Sequence, residues 1–173
     1  MSSTLLFIAS ITLLVVPVLY LVKTYQGKIV PNPVTFFLRA LISVLNLVTY
    51  FKTNGGDHWK SSVTVVSAIG LTLIFFFSLK WGKLDKIKWI DIVAAAIALG
   101  ALAIGKHYRD PVIANLFLQV AMFIPFAVAV RGVVKEGLLE RVLPWSLATL
   151  AYVFMTAGLY VRGDCTWQEF IHP

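Results

Sequence analysis

The feature that most constrains this chain is its alternation of long apolar runs with short charged connections. Crossing about 30 Å of hydrocarbon takes roughly 20 apolar residues in a helix. Six stretches come near that length: Leu5 to Val22, Pro33 to Phe51, Ser61 to Leu79, Trp89 to Gly105, Pro111 to Val130 and Val142 to Val161. Arg39 and Asp91 are the only charged residues inside them. Hydrocarbon offers the backbone no hydrogen-bond partner, so a chain crossing it must pair its own amides, as a helix does. The expected fold class is therefore all-α integral membrane, with six visible transmembrane helices. Composition agrees: 59% of the 173 residues are hydrophobic and 13% charged, against roughly 25% charged in soluble domains. So apolar a chain is not disordered either, because disorder requires low hydrophobicity and dense charge.

The charges between the runs carry topology. The connections after the first, third and fifth spans hold Lys23 and Lys28, then Lys80, Lys83, Lys86 and Lys88, then Arg131, Lys135 and Arg141. The other side holds Lys52, Lys60, Lys106, Arg109 and Arg162. The positive-inside rule puts the richer set in the cytoplasm and the N-terminus outside, in a cell or inner membrane. Trp81 and Trp89 flank the most basic loop, as interfacial anchors do. The net charge of +7 is thus read as a topology signal, and no nucleic-acid partner is expected. No basic region precedes the first run, which is read as a retained helix and not as a signal peptide. The single cysteine, Cys165, forms no internal disulfide and no metal framework.

An internal repeat changes the organisation. Val15-Val16-Pro17, followed six residues later by Lys23, returns as Phe123-Ile124-Pro125 followed by Arg131. Pro33 opens the second span and Pro144 the sixth, while Gly56-Asp57 and Trp59 return as Gly163-Asp164 and Trp167. All these pairs stand at offsets of 107 to 111 residues. The expected units are a first triple-helix bundle over residues 1–80, a basic loop and linker helix over 81–109, and a second bundle over 110–173 that lacks its last helix. Span four would reverse direction so that the two units run parallel, an arrangement known among transporters.

A proline late in the first helix of each unit (Pro17, Pro125), a basic residue soon after (Lys23, Arg131) and an acid before the third helix (Asp57, Asp164) together resemble the SWEET and PQ-loop (MtN3-like) transporters. The resemblance implies three helices, a linker and three helices, moving by alternating access. The Gln that follows the proline in that family is replaced here by Val18 and Phe126, and Ser67 is the nearest polar residue to the family's third-helix Asn.

Several residues could carry function, each with a structural alternative. Pro17 and Pro125 remove a helix hydrogen bond and favour a kink; the resemblance implies hinges, although membrane helices tolerate proline anyway. An intramembrane charge costs roughly 2.5 to 3.5 kcal/mol on insertion scales. Arg39 lies about 9 Å from the start of its span, close enough to snorkel to the surface or to act at a gate. Asn46 and Tyr50 share one face of the second span, and Asn115 and Gln119 one face of the fifth. These four, with Ser67 and Trp145, are substrate-binding candidates, and helix-to-helix hydrogen bonding is the alternative. Asp57 and Asp164 join Arg39 as gate candidates.

No metal site, cofactor motif or catalytic motif is present, and no enzyme activity is expected. The function expected is a facilitative transporter for a small polar solute such as a sugar, vitamin precursor or amino acid. The alternative is a non-transporting scaffold or assembly partner that keeps the repeat fold. The partners are the bilayer, the solute and, should another chain complete the bundle, a homo-oligomer. An open cleft between spans two, five and six is expected to hold at least two of Asn46, Tyr50, Asn115, Gln119 and Trp145.

Overall fold

The computed structural model describes residues 2–84, 89–108, 112–123 and 139–163. Among them are six helices and no strand: α1 (Ser2–Tyr25), α2 (Pro33–Thr53), α3 (His58–Trp81), α4 (Trp89–Tyr108), α5 (Val112–Phe123) and α6 (Leu139–Arg162). Three of these, α1, α2 and α3, are long and apolar enough to cross a membrane. Several helices overrun the apolar stretches that mark them, because a charged side chain does not end a helix. Thus α2 continues through Lys52 and α6 through Arg162, until turn and capping residues intervene.

Those caps are legible residue by residue. Asn32 accepts the amide of Val34 at 3.0 Å, and Pro33 follows at the first helical position, where its missing N–H costs nothing. Asp57 caps α3 by accepting the amides of Trp59 at 2.8 Å and Lys60 at 3.1 Å. Asn54 organises the turn between them. Its carbonyl oxygen accepts the amides of Gly56 and Asp57, each at 3.1 Å, and its amide donates to Ser61 Oγ at 2.8 Å. After α1 the chain reverses through Gly27 at φ 70°, a left-handed conformation that glycine adopts without strain.

α3 packs against both α1 and α2, α6 runs along α1, and α4 packs on α2. One core cluster joins Leu6, Ala9 and Leu13 of α1 to Tyr50, Val63, Ala151, Met155 and Leu159. A second joins Ile42 of α2 to Ala98 and Ala101 of α4 and to Leu118 and Ala121 of α5. Small residues set the closest approaches between helices. A Cβ on Gly70 would lie 2.8 Å from Pro17 Cγ, and one on Gly158 3.1 Å from Leu6. Outward faces carry Phe7, Phe37, Phe76 and Val153, large apolar side chains left exposed.

Of the repeat landmarks, Gly56 and Gly163 share positive φ, at 82° and 72°. The proline pair differs from expectation. Pro33 is the first residue of α2, whereas Pro144 lies inside α6, whose helix already begins at Leu139. A proline lacks only its own amide, so a helix can start a turn ahead of it. Pro125, Asp164, Cys165 and Trp167 lie outside the described residues, as do Lys86, Lys88, Arg131 and Lys135.

The hairpin connections sort the polar residues to two ends. Lys23, Lys28, Lys80 and Lys83 stand where α1 ends, α2 begins and α3 ends, and Lys83 donates its amide to Pro31 there at 3.1 Å. Asn54, Asp57, Lys60 and Arg162 stand at the opposite end.

Candidate functional site

A cavity of about 410 Å³ lies between α1, α2 and α3 on one side and α5 and α6 on the other. Its wall comes from the later half of α1 (Leu13, Val16, Pro17, Tyr20), the start of α2 (Phe36, Arg39, Ile42) and the middle of α3 (Val66, Ser67, Gly70, Leu71, Ile74). The end of α5 and the first turns of α6 complete it. All these segments lie toward the end that carries Lys23, Lys28, Lys80 and Lys83.

Toward the other end Leu6, Ala9, Tyr50, Met155 and Leu159 form a packed plug, each with no exposed surface. Beyond that plug, Arg162 Nη2 stands 2.6 Å from Asp57 Oδ2 and ties the end of α6 to the start of α3. Burial raises the Asp57 pKa, but the amide donors Lys60 and Trp59 and the Arg162 guanidinium outweigh it and hold the carboxyl below its ordinary value. Asp57 therefore does two jobs, capping α3 and pairing across to α6.

At the cavity wall and in the helix contacts beside it the polar groups form two sets. Ser43 Oγ donates to Ser67 Oγ at 3.3 Å, joining α2 and α3, and Tyr152 of α6 lines the same cavity. Gln119 Nε2 donates to Asn46 Oδ1 at 3.1 Å, and Asn46 Nδ2 reaches Met122 Sδ at 3.6 Å. One turn further, Thr49 Oγ1 donates to Asn115 Oδ1 at 3.2 Å. Arg39 stands at the wall with its guanidinium carbon 5.7 Å from the centre of the Phe36 ring.

The sequence candidates thus separate. Pro17, Arg39, Ser67 and Gln119 line the cavity, while Asn46 and Asn115 lie buried in the α2–α5 contact next to it. Tyr50 belongs to the plug. Of the four described residues expected in one cleft, Gln119 alone faces the space. The others found partners or apolar neighbours in helix contacts. Trp145 belongs to α6, but its side chain lies outside the described residues, as do Pro125 and Asp164 altogether.

Sequence reasoning passed over Ser43, Tyr152 and Arg162. For Tyr152 a signal existed, since Thr149, Tyr152 and Thr156 recur at helical spacing in the sixth apolar run. Among the described residues, no group of three or more His, Cys, Asp or Glu side chains is placed to hold a metal ion. Comparison of the chain with protein-family models, curated proteins and solved structures found no match.

Proposed function

We propose that the protein is an integral membrane carrier for a small solute, with the cavity as its binding site. The observation that carries this is the asymmetry of the interior: a cavity toward the end that bears Lys23, Lys28, Lys80 and Lys83, and a packed cluster with the Asp57–Arg162 pair toward the other. A solute path that alternates between two sides needs a site that one side reaches while the other is sealed. A volume of about 410 Å³ is in the range of small-molecule sites, roughly 300 to 1,000 Å³. The wall also has the usual composition of such sites, mostly apolar with a few placed polar groups. The resemblance to SWEET and PQ-loop transporters, with its two parallel units and paired proline hinges, belongs to this proposal. So do the cytoplasmic position of the end that bears Lys28 and Lys80 and insertion in a cell or inner membrane.

A non-transporting scaffold is favoured by one feature, the amide cluster. Asn46, Gln119, Thr49 and Asn115 bond across the α2–α5 contact, as residues that serve only to join helices would. Purified protein screened for thermal stabilisation across sugars, amino acids, vitamin precursors and small organic acids separates the two, because a ligand of the folded state raises Tm. For a carrier, at least one solute class raises Tm and is taken up by liposomes containing the protein. Ala148→Trp, which fills the cavity, abolishes both. A scaffold shows neither response with any solute.

A further inference from the structure

We infer that the solute is uncharged and largely apolar, with a single hydrogen-bonding group; this rests on the carrier reading above. The polar side chains of the cavity wall are engaged by the protein itself. Ser67 accepts from Ser43 at 3.3 Å, and Gln119 donates to Asn46 at 3.1 Å. Arg39 lies by the Phe36 ring and makes a further interaction, and Tyr20 and Thr149 are engaged as well. Between these stand apolar groups on every side: Leu13 of α1, Val66, Leu71 and Ile74 of α3, Met122 of α5 and Ala148 of α6.

A solute bonds either to spare capacity in such a wall or at the expense of a bond already made, and a buried polar group that loses its partner is costly. A sugar would bring many hydroxyls to side chains that already have partners. A carboxylate would compete for Arg39 with the interaction that residue makes now. An ammonium would meet no acid among the described wall residues, and an unpaired charge in apolar surroundings is costlier still. A neutral apolar body avoids all three penalties and gains from leaving water. One polar group can be served, because a hydroxyl has one donor and two acceptor sites, and Ser67 can accept from Ser43 and still meet it. A lipid acyl chain has the same apolar chemistry; we assign the cavity to a free solute, and the test separates the two.

The test is thermal stabilisation of the purified full chain by three probes that share one apolar body, naphthylmethanol, naphthoate and naphthylmethylammonium, with inositol as the polyol. Wild type is compared with Ala148→Trp, which fills the cavity, and Leu71→Phe, which narrows it. The expected result is that naphthylmethanol raises Tm with an apparent affinity about tenfold or more above that of either charged analogue, and that inositol does nothing. The shift should vanish in Ala148→Trp and weaken in Leu71→Phe. Should Ala148→Trp fail to fold, Leu71→Phe and the comparison of probes in wild type decide. An equal shift in all three proteins would be solution of the probe in the surrounding lipid and would overturn the inference. If naphthoate, the ammonium or inositol stabilises as well as the alcohol, or if only a sugar or amino acid does, the solute is charged or polar, and the carrier reading survives without this inference. If no probe acts but mass spectrometry finds phospholipid retained by wild type and lost from Leu71→Phe and Ala148→Trp, an acyl chain fills the cavity and the inference is overturned. If neither solute nor lipid binds, the carrier reading fails with it.

Discussion

Gly70 of α3 meets Pro17 of α1 so closely that a Cβ on the glycine would lie 2.8 Å from Pro17 Cγ and 3.1 Å from its Cβ. Both residues line the cavity, so this contact sets how far apart its α1 and α3 walls stand. Pro17 is thus held by packing at the point where its missing amide would otherwise loosen the helix.

Valine at position 70 is expected to destabilise the protein by about 1 to 3 kcal/mol, because the added carbons force the two helices apart. Replacing glycine with valine in a helix interior gains only a few tenths of a kcal/mol in propensity, so the clash decides the sign. Combining Gly70→Val with Pro17→Ala should recover part of the loss in thermal unfolding. Strict additivity of the two changes would show that the residues do not touch.

Asp57→Ala is expected to cost about 1 to 2 kcal/mol, since it removes the α3 cap together with the pair to Arg162. Asp57→Asn should cost less, because an asparagine still caps. The pH dependence follows from the lowered carboxyl: its contribution is fully present above the ordinary value of 3.8 and is lost as pH falls below it toward the folded-state value. A melting temperature that falls on acidification in wild type and less in Asp57→Asn is the expected pattern. Equal acid sensitivity in both proteins would assign the effect to other groups.

The helices were legible because charge spacing and hydropathy are local properties, and capping residues such as Asn32 and Asp57 stand beside the helices they start. The cavity was only partly legible. Arg39 announces itself as a charge in an apolar run, and Ser67 and Gln119 as isolated polar groups. Whether a polar side chain faces space or a neighbour depends on which helices pack together, and helical periodicity alone does not say. Asn46 and Gln119 look alike in sequence; one is buried in the α2–α5 contact and the other turns toward the cavity. Arg162 gave no sign of its partner because Asp57 lies more than a hundred residues earlier.

The Asn46–Gln119 bridge should contribute modestly. Hydrogen bonds between membrane helices average about 0.6 kcal/mol and reach about 1.7. A double-mutant cycle with Asn46→Ala and Gln119→Ala is expected to give a coupling in that range, smaller than the clash at Gly70. No coupling would mean that the two amides do not bond.

Orientation is tested in a Cys165→Ser background with one cysteine restored, at Lys28 or at Lys52. Both positions are exposed, at opposite ends of the molecule. Expected is labelling of Lys52→Cys by an impermeant reagent in intact cells, and of Lys28→Cys only after permeabilisation. The reverse pattern inverts the topology.

The carrier proposal, with a solute site reached from the end that bears Lys28 and Lys80, is tested most directly by thiol accessibility along α3. Ser67→Cys and Ile74→Cys would line the cavity, whereas Leu73→Cys and Phe76→Cys would sit on exposed apolar positions. In right-side-out and inside-out vesicles, the first pair should react with a hydrophilic impermeant reagent from the side bearing Lys28 and Lys80, and the second pair from neither side. Failure of Ser67→Cys and Ile74→Cys to react from either side, in folded protein, would contradict the existence of that site.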